Sequence, residues 1–159
     1  MFRSMALLPA PLRRAHETFV ALAEALQPLA LLAARLFVAR VFLLSGLTKL
    51  RDWETTLALF TDEYHVPLLP PEAAAVLGTF GETVLPVLLV LGLGGRLAAL
   101  GLSAVNVVAV LSVPDMPEPA FMLHVFWGSL LAALVLWGPG RWSVDGWLAG
   151  QGAPVVRRG

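Results

Sequence analysis

An all-α integral membrane fold is predicted: a bundle of four membrane-crossing helices, with the N-terminus and the C-terminus both cytoplasmic. Three observations predict it. The chain of 159 residues is 58% hydrophobic and 14% charged, with a mean hydropathy of +0.78. A soluble domain of that size buries only a modest fraction of its surface, so lipid must cover the remainder. Four apolar stretches approach the ~20 residues that a helix needs to cross a bilayer. Basic residues then gather on one side of those stretches, as cytoplasmic loops require.

The first span is read from residue 29 to 50, following Pro28, because proline suits the first turn of a helix. The second covers about 73–91, after Pro70 and Pro71, and Gly92, Gly94 and Gly95 follow as a tight turn. The third covers about 96–113 and stops at Pro114. The fourth covers about 120–137 and ends at Gly138-Pro139-Gly140, a glycine-then-proline stop. The two short connections make the second, third and fourth helices successive antiparallel neighbours. The chain thus divides into a cytoplasmic or interfacial segment 1–28, a membrane domain 29–148 with a long outer loop 51–72, and a cytoplasmic tail 149–159. No cleavable signal is expected, since Pro9, Pro11, Arg13 and Arg14 interrupt the first apolar run.

Orientation follows from charge. With the N-terminus inside, Arg3, Arg13, Arg14, Arg96, Arg141, Arg157 and Arg158 are cytoplasmic, and only Lys49 and Arg51 are outside. Within the outer loop, Trp53, Leu57, Phe60 and Tyr64 recur at helical spacing between acidic residues, which predicts a short amphipathic helix on the outer surface. Residues from His16 to Leu26 are read as a similar helix on the inner surface.

Polar residues in hydrocarbon are costly and need a reason. Arg35, early in the first span, is expected to snorkel to the headgroups. Arg40, Glu82 and Asn106 lie on three different spans, each roughly 15 Å deep at 1.5 Å per residue. That shared depth predicts an Arg40–Glu82 pair with Asn106 beside it, either fixing helix register or forming the polar floor of a ligand cavity. Ser45, Lys49 and His124 form a second polar layer nearer the outer surface. Their plainer reading is an interfacial anchor for Lys49 and a helix-to-helix hydrogen bond for His124.

Several chemistries are excluded. Without cysteine there is no disulfide exchange, thiolate nucleophile or iron–sulfur ligation. A net charge of zero gives no basic field for nucleic acid. No metal site is expected, because His16, His65 and His124 fall at different places along the membrane normal. There is no P-loop, Rossmann glycine motif or GxSxG, so no autonomous catalytic motif is present.

Arg40-Val-Phe-Leu-Leu-Ser45-Gly46-Leu-Thr-Lys49, Gly81-Glu82, and the ending Gly138-Pro139-Gly140-Arg141-Trp142-Ser143-Val144-Asp145 resemble the DoxX family of small four-helix membrane proteins. The family's membrane arginine, its lysine after Ser-Gly and its membrane glutamate correspond to Arg40, Lys49 and Glu82. The resemblance implies an inner-membrane, multi-pass protein that acts as an accessory subunit of a redox or oxidative-stress system. It also implies a protein partner, with a quinone or other lipophilic small molecule as the ligand class; no cofactor is fixed. The disulfide activity of related proteins does not carry over, because the cysteines are absent. Two alternatives stay open: a catalytic quinone-linked oxidoreductase subunit, and a small-molecule or proton-coupled carrier. A homo-oligomer also stays open.

Overall fold

The computed structural model describes residues 9–151, and helices are the regular secondary structure among them. Six helices follow in order: α1 (Ala10–Arg51), α2 (Trp53–Asp62), α3 (Pro71–Leu91), α4 (Gly95–Leu111), α5 (Glu118–Trp137) and α6 (Val144–Gln151). By length and composition α1, α3 and α5 can each cross a membrane; α4 is apolar but shorter, at 17 residues. The outward surface is itself apolar. Leu97 is 75% exposed and Leu136 66%, and only 11% of the apolar window of α5 is buried. A helix that is apolar on every face yet unburied needs lipid around it, so this is a membrane protein.

α1 packs on α3, α3 on α4, α4 on α5, and α5 returns to α1; α2 lies against α3 and α1. The core sits where the four long helices meet. Val38, Ala39 and Phe42 of α1 close on Leu89 of α3, Ala98, Ala99 and Leu102 of α4, and Leu131 and Leu134 of α5. A smaller cluster joins Phe60 of α2 to Ala74 and Ala75 of α3.

The first helix differs from expectation. Residues 10–27 do not form a separate surface helix; they continue α1 through Pro28, which lies buried inside it. Proline deletes one backbone donor, but the 42-residue helix persists. Pro9 at the N-cap and Pro11 in the first turn start it, where absent N–H groups cost nothing. At about 1.5 Å per residue the helix is some 63 Å long, about twice the hydrocarbon thickness.

The 51–72 loop contains the expected short helix. Asp52 caps α2, its carboxylate accepting from the Thr55 backbone N–H at 3.0 Å and from the Thr55 hydroxyl at 2.7 Å. Those bonds hold the Asp52 carboxyl below its usual range. Thr56 and Phe60 are buried, whereas Trp53 is exposed. The inward face therefore carries Leu57, Phe60 and Tyr64 as the aromatic spacing suggests, with Thr56 added and Trp53 left out.

The α3–α4 turn is built by glycine. Gly92 and Gly94 both adopt left-handed backbone (φ 66° and 56°). Gly92 N–H bonds to Leu89 O and Leu93 N–H to Leu88 O, the paired closure of a glycine-terminated helix. α6 is an addition to the sequence reading. The tail beyond residue 151, including Arg157 and Arg158, and the start before residue 9, including Arg3, lie outside the described residues.

Candidate functional site

One face of α1 carries Arg35, Val38, Ala39, Phe42 and Gly46 into the interior at helical spacing. The next position on that stripe is Lys49. At Gly46 the backbone of α1 comes so close to α3 that an added Cβ would stand 2.7 Å from Thr83 Cγ2 and 3.0 Å from the Glu82 backbone. Close approach through a small residue is a common way for membrane helices to meet. One turn further, Lys49 faces Glu82. Its Cα–Cβ bond tilts toward the helix N-terminus, so the side chain reaches back into the bundle. Nζ stands 2.6 Å from Glu82 Oε2 and also donates to Ser45 Oγ at 2.9 Å. The two side chains are only 15% and 11% exposed.

This ion pair lies in the wall of a cavity of about 490 Å³ between α1, α3, α4 and α5 and beneath α2. That size falls within the range of small-molecule sites. The walls are mainly apolar, with Phe42, Leu77, Val105 and Trp127 among them; Ser45, Lys49, Tyr64, Glu82, Ser112 and His124 supply polar groups. Trp127 meets Phe42 edge-on at 6.1 Å and His124 at 4.9 Å between ring centroids. Asn106 holds the histidine: its Nδ2 donates to His124 O at 3.0 Å, and its Oδ1 lies 2.8 Å from His124 Nδ1. Tyr64 reaches in from the end of α2. Burial above all, and then the carboxylates of Glu63 and Glu82, push its phenol above the ordinary range, so it stays a neutral hydroxyl.

The expected Arg40–Glu82 pair does not form. Arg40 is exposed on α1, and Glu82 is partnered by Lys49. The reason is rotation. Residues 40 and 49 are nine apart, about two and a half helical turns, and so face opposite ways. Depth along the membrane ignores this, while the stripe through Phe42 and Gly46 reveals it. Asn106 is buried but serves His124 rather than Glu82. Ser45, Lys49 and His124 do line one cavity, together with Glu82. Among the described residues no three His, Asp or Glu side chains gather in a form that could hold a metal ion.

Arg35 likewise departs from expectation: its side chain is buried within the protein rather than reaching outward. It is fully buried, donating to Val90 O at 3.2 Å and to Trp142 O. These bonds belong to a clasp at the α6 end of the molecule. Asp145, in the first turn of α6, accepts from Gly94 N–H at 2.9 Å and Gly95 N–H at 2.8 Å, and its own N–H bonds to Gly92 O at 3.0 Å. A carboxylate at the start of α4 satisfies the free donors there and suits the helix dipole. Arg96 Nη1 donates to Val135 O at 3.0 Å. The Gly-Pro-Gly-Arg-Trp-Ser-Val-Asp segment thus ties the α3–α4 turn to the ends of α1 and α5.

The family model described as DoxX matches residues 30–115, more than half of the chain. No curated protein and no solved structure matches it.

Proposed function

The chain belongs to the DoxX family, and from that premise we propose that it binds a lipophilic small molecule with a polar head, of the quinone class, in the cavity beside Lys49 and Glu82. It does so as an accessory subunit of a redox-related complex in the inner membrane. The observation that carries this reading is the Lys49–Glu82 pair in the wall of a largely apolar cavity. Apolar walls suit a ring and tail, and a few convergent polar groups suit one head.

Purification in mild detergent followed by mass spectrometry tests it. A lipophile should accompany the wild type and be lost from Ala109→Phe, which fills the cavity from α4. Identical small-molecule content in two equally stable preparations would refute the reading. Co-purifying protein would identify the partner; a partner that carries a redox cofactor would make this chain part of a catalytic assembly.

The reading includes four spans with cytoplasmic termini. It rests on the asymmetry of basic residues, and on α4, whose 17 residues fall within the shortest range that crosses a bilayer. Single cysteines at Thr61 and Gly150, both exposed, test it in this cysteine-free chain. An impermeant thiol reagent on intact cells should label the first and spare the second. The reverse pattern would overturn the topology.

A further inference from the structure

The hydrogen-bonding state of His124 is determined by its neighbour. Asn106 Nδ2 donates to the His124 carbonyl oxygen, which can only accept, so the amide has one orientation. Its oxygen therefore faces His124 Nδ1 at 2.8 Å. An amide oxygen cannot donate, so Nδ1 carries the proton. In the neutral ring Nε2 is then a bare acceptor. Among the described residues no donor reaches Nε2, and the ring lines the cavity.

Lys49 presents the opposite need. Of its three N–H groups, one goes to Ser45 Oγ and one to Glu82 Oε2, which leaves one donor. The cavity thus offers a donor at Lys49 and an acceptor at His124. A hydroxyl can meet either group, accepting at its oxygen from Lys49 or donating its hydrogen to His124. A carbonyl can accept from Lys49 but sets lone pairs against Nε2.

We infer that the cavity selects a hydroxyl-bearing head of the hydroquinone class over its carbonyl-bearing oxidised form, with His124 Nε2 as the residue that discriminates. This rests on the proposed lipophile site and adds its redox-state preference. One hydrogen bond made rather than lost corresponds to about tenfold in affinity. For a two-electron couple a tenfold preference for the reduced form raises the midpoint potential of the bound pair by about 30 mV.

Anaerobic titration of the detergent-solubilised protein tests this with three probes: a short-chain 1,4-hydroquinone, the matching quinone, and the hydroquinone dimethyl ether. The hydroquinone should bind about tenfold tighter than the other two. His124→Phe should retain quinone binding and lose the preference. Where that variant does not fold, the nitrogen spectrum of labelled histidine in the wild type decides. It should show the proton of His124 on Nδ1 and an Nε2 signal moved by hydroquinone but not by quinone. Equal binding, tighter quinone binding, or a proton on Nε2 would overturn the discrimination while leaving the cavity reading intact. No binding of any probe would overturn both.

Discussion

Arg35→Leu is expected to lower stability in detergent by about 3 kcal/mol or more, because it strips the charged donor from two inward-facing carbonyls at once. The guanidinium is fully buried and joins Val90 O of α3 to Trp142 O beyond α5. Leucine matches part of the volume but leaves both oxygens without that donor. Arg35→Lys should recover only part of the loss, since a single ammonium cannot reproduce a planar fork. Asp145→Ala attacks the same clasp from the other side. It removes the acceptor of two backbone N–H groups at the start of α4 and should cost about 1–2 kcal/mol. Thermal unfolding in detergent measures the ranking. Hydrogen exchange should rise locally at residues 92–96. An Arg35→Leu protein within about 0.5 kcal/mol of wild type would mean that the clasp is not structural.

The second large effect concerns the ion pair. Glu82→Leu leaves Lys49 facing an apolar wall, and Lys49→Leu leaves Glu82 there; each should cost about 3–5 kcal/mol, whereas the double replacement should restore much of the loss. The two side chains are little exposed, so water screens them only weakly. Arg40→Leu should cause no comparable loss, because Arg40 lies on the opposite, exposed face of α1. That contrast separates the observed pairing from one based on depth alone. A double variant that folds but retains no ligand would assign the pair to binding as well as to packing.

Much of the fold is legible in the sequence because membranes write in length and charge. The glycine turn at residues 92–95, the stop at Gly138 and the helix after Asp52 all follow from local chemistry. What the sequence conceals is continuity and rotation. Pro28 reads as a helix start, yet α1 passes straight through it. Arg40 and Glu82 match in depth, yet their helices turn them apart, and Lys49 reaches back instead. Asp145 sits in the segment most characteristic of the resemblance, but its role as a cap on a helix 50 residues earlier is a tertiary fact. Tyr64 and Trp127 enter the cavity wall only once α2 and α5 are in place.

Site mapping tests the central claim most directly. A photoreactive lipophile with a quinone head is activated on the purified protein, and the attachment points are read by peptide mass spectrometry. The account predicts labels at the cavity wall, on 41–49 of α1 and 124–127 of α5, displaced by excess unlabelled quinone and absent in Ala109→Phe. Labels spread over outward residues such as Leu97, Leu100 and Leu136, unaffected by competitor, would contradict it.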